Sequence, residues 1–234
     1  MSGTDLSHFL PALRCMGNIL TASDPQVVEK CLWLGVLDKL TSLLYQSNSN
    51  ILKECLWAFS NITAGPVAHV QKFVENDAFD RIMFLCESRN IDIRKEALFV
   101  MCNAITGADL PIRAKIFTTG GDKLMAILVL ATVINDLRLR MNVLDSIEEI
   151  IKLDEWFGWT RSEKSMTLLF ERCGGLDAFE ELQKNPNMQV YDKVNDILKT
   201  YFEQEDGMDF GNNPSNYIQH SDSSMVTQDG AGPM

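Results

Sequence analysis

One pattern of residues recurs along the chain at nearly constant spacing. Three copies are closely similar: ALRCMGNILTA at 12–22, KECLWAFSNITAG at 53–65 and KEALFVMCNAITG at 95–107. Their asparagines, Asn18, Asn61 and Asn103, are 43 and 42 residues apart. A degenerate fourth copy, MNVLDSIEEIIKL at 141–153, carries Glu149 at the matching position, 46 residues after Asn103. A chain with such a period folds as a stack of similar units that bury one continuous core.

The apolar residues in each copy have the spacing of a helix. In the second copy, Leu52, Cys55, Leu56, Phe59 and Ile62 fall on one stripe at intervals of three and four. Two shorter helical stretches, HVQKFVEN and AFDRIMFLCES, separate the second copy from the third. Three helices per unit is the armadillo arrangement, whereas HEAT units have two. The sequence therefore predicts an all-α armadillo-repeat protein, a right-handed superhelical solenoid of three-helix units, and ranks a HEAT array second.

The repeat pattern also predicts how the chain is divided. We expect a partial armadillo repeat (third helix only) at 1–25, armadillo repeats at 26–65, 66–107 and 108–153, a C-terminal capping repeat at 154–202, and an acidic disordered tail at 203–234. The tail contains six acidic and no basic residues, a composition that cannot bury a core. Within the capping repeat, the stretch Trp156–Trp159 is expected to form a longer connection between helices.

The charge of the chain limits its partners. Lys and Arg total 21 against 32 Asp and Glu, so the formal net charge is −11. Nucleic acid is not an expected partner, because phosphate binding needs a basic surface. An acidic chain suits a cationic partner such as a Lys/Arg-rich peptide. Acidity can also serve only to keep a protein soluble.

Other functional classes lack the residues they require. The six cysteines form no CxxC pair and there are only three histidines, so we predict no metal site and no cofactor. No Gly-rich phosphate loop, GxSxG or HExxH motif is present, which indicates that the chain is not an enzyme. The most apolar run, Leu124–Ile134, is too short to span a bilayer, so we expect no membrane insertion.

The third helix of the predicted units repeats a small set of polar and aromatic residues. The set is Glu54, Trp57 and Asn61 in the second copy, Glu96, Phe99 and Asn103 in the third, and Arg14 and Asn18 in the first. Spacings of three and four place each set on one helical face. Asparagine can hydrogen-bond a peptide backbone, an aromatic face can hold a lysine stem, and glutamate can pair with its charge. Stacked at a fixed period, these faces are expected to form a groove for an extended basic peptide.

Each of these residues also has a simpler interpretation. A tryptophan on a helix usually packs in a core, and an asparagine near a helix end is usually solvated or a cap. Glu54 and Glu96 could be ordinary surface charges beside Lys53 and Lys95. The joint recurrence favours the groove, because a core has no need for asparagine at the same register three times.

The repeated segments closely resemble the last repeats of the importin-α family. The runs that carry the resemblance are LRCMGNILTASD, ECLWAFSNITAG, EALFVMCNAITG and ERCGGLDAFEELQ. The family has two signal-binding sites, and the resemblance is to the repeats that line the second, minor site. It implies that Asn18, Trp57, Asn61 and Asn103 hold a signal peptide, that Glu54 and Glu96 pair with its basic side chains, and that Arg14 and Asp24 lie beside the groove. Phe99 stands where the family usually has tryptophan, and Glu149 where it usually has asparagine.

The resemblance implies a nuclear import adaptor that shuttles between cytoplasm and nucleus. Its expected partners are the basic nuclear localisation signals of cargo proteins and, through the last repeat and acidic tail, the export receptor of the family. Importin-β is expected only if an N-terminal segment missing from this sequence exists. A truncated form is expected, without the importin-β-binding segment and the major site. The alternative is another armadillo scaffold of the β-catenin kind, whose grooves are generally basic and bind acidic partners.

Overall fold

The structure is a computed structural model that describes residues 3–22, 24–160 and 162–202, with side chains from residue 9 onward. This part of the chain is helical and contains no strand, which confirms the all-α prediction. Its helices are α1 (Gly3–Ile19), α2 (Pro25–Trp33), α3 (Val36–Leu43), α4 (Ser49–Thr63), α5 (Val67–Val74), α6 (Ala78–Leu85), α7 (Ile91–Gly107), α8 (Leu110–Ala131), α9 (Leu137–Ile151), α10 (Leu153–Phe157), α11 (Met166–Arg172), α12 (Gly175–Gln183) and α13 (Met188–Tyr201).

The helices follow one another in groups of three. Two groups, α2–α4 and α5–α7, each contain two short helices and a long third one. In the next group the two short helices are merged into α8, which bends at Gly121, where φ is 58° and ψ is −157°. This conformation is essentially restricted to glycine, so Gly121 allows the chain to turn within α8. The last group is α11–α13.

The long helices begin at side-chain caps that recur with the repeat. Asn48 accepts hydrogen bonds from the first backbone N–H groups of α4, Asn90 from those of α7, and Asn187 from that of α13. At α9 the cap is Asp136, which accepts from the Leu139 N–H. Such caps satisfy backbone donors that have no partner inside the helix, so they define where each long helix starts.

The long helices pack side by side in chain order. Helix α4 packs between α1 and α7, and α9 packs against both α7 and α13. The predicted apolar stripe of α4 faces inward, because Cys55, Leu56, Phe59 and Ile62 are completely buried. Continuous burial between successive units is what makes a stack of short helices stable. No helix of the described residues is long and apolar enough to cross a membrane.

The segment between α9 and α11 differs from the sequence prediction. We expected a loop at Trp156–Trp159, but Trp156 and Phe157 lie in the short helix α10. Asp154 on α10 is buried and accepts a hydrogen bond from the Met166 N–H at 2.6 Å, which ties α10 to the start of α11. Burial raises the pKa of the Asp154 carboxyl, and its backbone hydrogen bonds oppose the rise. The predicted acidic tail, 203–234, lies outside the described residues, and the repeat boundaries stay a prediction.

Candidate functional site

The repeated asparagines join neighbouring long helices. The Asn61 side-chain amide on α4 donates to the Gly17 carbonyl on α1 at 3.1 Å. The Asn103 amide on α7 donates to the Ser60 carbonyl on α4, also at 3.1 Å. Both side chains are half-buried, and neither side-chain oxygen accepts a hydrogen bond from a described residue. Each asparagine is therefore held in one orientation and retains an acceptor for a ligand.

Trp57 lies against a glycine of the preceding helix. A Cβ atom built on Gly17 would stand 2.1 Å from Cζ3 of the indole, so only glycine admits the ring at this position. Trp57 is half-buried. The indole is thus neither fully buried in the core nor fully exposed to solvent, and α1 fixes its position.

A pocket of about 190 Å³ lies between α4, α7 and the start of α9. It brings together five of the nine predicted site residues. Its lining residues are Trp57, Ser60, Asn61, Ala64, Glu96, Phe99, Asn103 and Arg138. We call it the ladder pocket. A second cavity of about 420 Å³ adjoins Asn61 and Ala64 on the side of the α1–α2 turn. Asn61 therefore stands where two concave regions meet.

The two predicted glutamates have different surroundings. Glu54 is already paired, because Arg14 Nε lies 2.5 Å from its Oε1. Glu96 forms no ion pair with a described residue. Burial raises the pKa of the Glu96 carboxyl, and the positive charges of Lys53, Lys95 and Arg138 oppose the rise. Glu96 is therefore the acid of the ladder pocket that remains available to a cationic ligand.

The other predicted residues lie outside the ladder pocket. Asn18 is exposed on α1, one step before Asn61 in the ladder. Asp24 caps α2, accepting from the Gln26 N–H at 2.9 Å, which is a local structural role. The Arg14 side chain forms an ion pair with Glu54. Glu149, at the position of a fourth asparagine, pairs with Arg113 at 2.6 Å and with Lys152 at 2.8 Å. The asparagine ladder thus ends at Asn103.

Sequence reasoning missed two residues of the site. Gly17 was overlooked because nothing in its own helix marks it, although it directly precedes the repeated Asn18. Arg138 was overlooked because it lies at the start of the degenerate fourth copy. Its Cζ stands 5.3 Å from the centroid of the Phe99 ring. Within the described residues, no group of His, Cys, Asp and Glu is arranged to hold a metal ion.

Two armadillo families match the sequence. The Armadillo/beta-catenin-like repeat family matches residues 32–64, and the Atypical Arm repeat family matches residues 164–215. Importin subunit alpha-2 of Oryza sativa subsp. japonica is 28% identical over 219 residues, which are 89% of this chain and 40% of that protein. Importin subunit alpha-5 of Arabidopsis thaliana is 32% identical over 158 residues, which are 67% of this chain and 30% of that protein. The chain thus spans less than half the length of these relatives.

Solved structures share the architecture. The designed armadillo repeat protein YIII(Dq.V1)4CPAF in complex with peptide (KR)4 superposes with a TM-score of 0.67 at 22% identity, covering 82% of this chain and 75% of that one. One of the computationally designed armadillo repeat proteins for modular peptide recognition gives a TM-score of 0.59 at 21% identity, covering 85% and 94% of the two chains. These likenesses confirm the predicted armadillo-repeat solenoid.

Proposed function

This chain is an armadillo-repeat protein and a homologue of importin α subunits over most of its length, and we propose that it is a nuclear import adaptor. It binds the basic nuclear localisation signals of cargo proteins in the groove formed by its long helices, and it shuttles between cytoplasm and nucleus. It acts as a binding protein and not as an enzyme. A further proposed partner is the export receptor of the family, through α11–α13 and the acidic segment that follows.

The ladder pocket is the observation that carries this proposal. Asn61 and Asn103 present free acceptor oxygens at successive repeats, which suits the backbone N–H groups of an extended peptide. The Trp57 ring supplies a face for the stem of a lysine or arginine. Glu96, unpaired and half-buried, supplies the opposite charge. Together these groups fit a ligand that is both extended and cationic.

The second candidate is a β-catenin-like scaffold that binds an acidic partner. The family match at residues 32–64 carries that name. The charge of the whole chain favours the basic ligand, because its net charge is −11, whereas Glu96 and Arg138 carry opposite charges within the ladder pocket itself. The proposed function therefore predicts a strict preference for basic over acidic peptides.

A fluorescence-anisotropy titration tests the proposal with a labelled (KR)4 peptide and a matched (DE)4 peptide. We expect Trp57→Ala to weaken (KR)4 binding by about 1–3 kcal/mol, the cost of losing an aromatic contact and its cation–π attraction. Trp156→Ala is the matched control, because Trp156 is exposed on α10 and lies outside the pocket. Equal affinity of the Trp57→Ala variant and the parent, or a preference for (DE)4, would contradict the proposed function.

A further inference from the structure

The ladder pocket already contains a positive charge of the chain itself. Arg138 is the second residue of α9, and its guanidinium lies over the Phe99 ring at 5.3 Å from Cζ to the ring centroid. The same side chain lines the pocket together with Glu96 and Asn103. This geometry is that of a cation–π contact. We call the space over Phe99, beside Glu96 and Asn103, the Phe99 slot.

Nothing else in the described structure fixes the Arg138 guanidinium. It takes part in no hydrogen bond and no ion pair with a described residue. Its neighbour Arg140 behaves differently, because it donates to the carbonyls of Thr132 and Ile134 at 2.9 and 3.0 Å. Arg138 is also exposed overall. Its side chain is therefore held over Phe99 by the ring and the local charge alone, which leaves it free to be displaced.

The start of α9 is anchored, which accounts for the placement of Arg138. Asp136 caps α9 by accepting from the Leu139 N–H at 3.0 Å, and it pairs with Lys95 of α7 at 2.5 Å. These contacts hold the first turn of α9 against α7, next to Phe99. A positive charge in the first turn of a helix opposes the helix dipole. The helix dipole therefore gives no reason for an arginine at position 138.

We propose that Arg138 is a specificity-determining residue that occupies the Phe99 slot in the peptide-free protein and competes there with a basic side chain of the ligand. This inference rests on the proposed function. The Trp57 ring, over which no arginine or lysine of the described residues forms a cation–π contact, then binds the principal basic residue of the ligand. A ligand cation enters the Phe99 slot only by displacing Arg138. The Phe99 slot therefore binds a basic side chain more weakly than the Trp57 ring does.

Replacing the arginine tests the competition directly. We expect Arg138→Gln to bind (KR)4 about two- to tenfold more tightly than the parent, because an exposed cation–π contact and a like charge are removed. Arg138→Glu should bind more tightly still, and Arg138→Lys should resemble the parent. Lys184→Gln is the charge-matched control, since Lys184 lies outside the pocket and pairs only with the exposed Glu181. That control should leave the affinity nearly unchanged.

A double-mutant cycle separates occupancy of the slot from a change in net charge. The indole of Phe99→Trp offers a larger face to whichever cation lies above it. In the parent that cation is Arg138, so we expect the substitution alone to gain little. In the Arg138→Gln background the ring is free, and Phe99→Trp should then tighten (KR)4 binding by about two- to fivefold. Additive effects of the two substitutions would overturn the inference.

The outcomes distinguish this inference from the proposed function. If the parent binds (KR)4 through Trp57 and Arg138→Gln binds equally or less well, Arg138 is not a competitor and the proposed function stands. If neither the parent nor Arg138→Gln binds (KR)4, the proposed function and the inference about Arg138 are both wrong. A measurement without peptide gives a separate check: loss of Arg138 should raise the pKa of Glu96 further in an NMR titration, because a charge that favours the carboxylate is removed. An unchanged pKa of Glu96 would contradict the assigned position of Arg138.

Discussion

At the scale of single residues, the candidate groove depends on contacts between one long helix and the one before it. Trp57 lies on Gly17, and the Asn61 amide donates to the carbonyl of that same glycine. One residue of α1 therefore positions two of the groups proposed to bind peptide. The groove is assembled across repeats, so a change in one repeat should alter binding in the next.

The first prediction concerns Gly17→Ala. Alanine favours the helix by about 1 kcal/mol, but its Cβ would stand 2.1 Å from Cζ3 of Trp57. We expect the ring to be displaced, with stability lowered by about 1–3 kcal/mol as in overpacked cores and with weaker (KR)4 binding. Cys15→Ala, at an exposed position of the same helix, is the control. A higher melting temperature with unchanged tryptophan emission and unchanged (KR)4 affinity would show that the Trp57 ring does not pack on Gly17.

At the scale of helices, ion pairs connect each long helix to the next. Arg14 of α1 pairs with Glu54 of α4, Lys53 of α4 with Asp92 of α7, and Lys95 of α7 with Asp136 of α9. The series ends at Lys193 of α13, which lies 2.6 Å from both Asp145 and Glu148 of α9. Exposed pairs of this kind contribute little to stability individually. The Lys193 cluster is half-buried and joins three charges, so it should contribute more.

The second prediction concerns Lys193→Met. Burial favours the neutral amine, but hydrogen bonds to Asp145 and Glu148 outweigh it and raise the pKa of Lys193. Removing the ammonium leaves the Asp145 and Glu148 carboxylates without their shared partner. Lys152 still pairs with Glu148, as well as with Glu149, but not with Asp145. We expect a loss of about 1–3 kcal/mol, seen as faster hydrogen exchange in α13.

The control for this prediction is Lys184→Met, which breaks an exposed pair with Glu181 and should cost at most about 0.5 kcal/mol. The affinity for (KR)4 should be preserved in both variants, because neither lysine lines the ladder pocket. Equal protection of α13 against hydrogen exchange in the two variants would show that the Lys193 cluster does not stabilise the packing of α13 on α9.

At the scale of the whole molecule, the chain combines many acidic residues with basic partners placed one repeat away. Several carboxyls consequently have a pKa below the ordinary value. A hydrogen bond from Lys72 lowers the pKa of Glu29, and one from Lys95 lowers that of Asp136. Hydrogen bonds from Gln71 and Lys115 lower the pKa of Glu75. At Glu148, burial opposes the effect of Lys193 and Lys152, but the pKa is still lowered. Two carboxyls show the opposite effect, since burial raises the pKa of Glu96 and Asp154.

The third prediction is acid destabilisation. A carboxyl with a lowered folded pKa stabilises the native state above its unfolded pKa, and this contribution is lost as the pH falls through the folded value. We therefore expect the melting temperature to decline between about pH 4.5 and pH 3. Glu96 and Asp154 act in the opposite direction, because protonation relieves their burial. Thermal melts across this pH range measure which set of carboxyls dominates. Repeating them with roughly 0.5 M added salt tests how far the charges are screened. A melting temperature that rises on acidification would show that the two buried carboxyls dominate.

Much of this protein can be predicted from its sequence because the determining interactions are local or periodic. The register of Asn18, Asn61 and Asn103, the apolar stripe of α4 and the all-helical class all follow from spacings of three, four and about forty-two residues. The same spacing places Trp57 and Asn61 side by side, as the ladder pocket shows.

Only the tertiary structure decided which residues of different repeats meet. The sequence pattern contains no sign that Gly17 lies under Trp57, that Arg14 neutralises Glu54, or that Arg138 lies over Phe99. Such contacts depend on the rotation and offset between packed long helices, which no spacing within one helix encodes. The sequence therefore determined the residues of the ladder, whereas the packing of α1, α4, α7 and α9 determined which of their charges and ring faces remain available to a ligand.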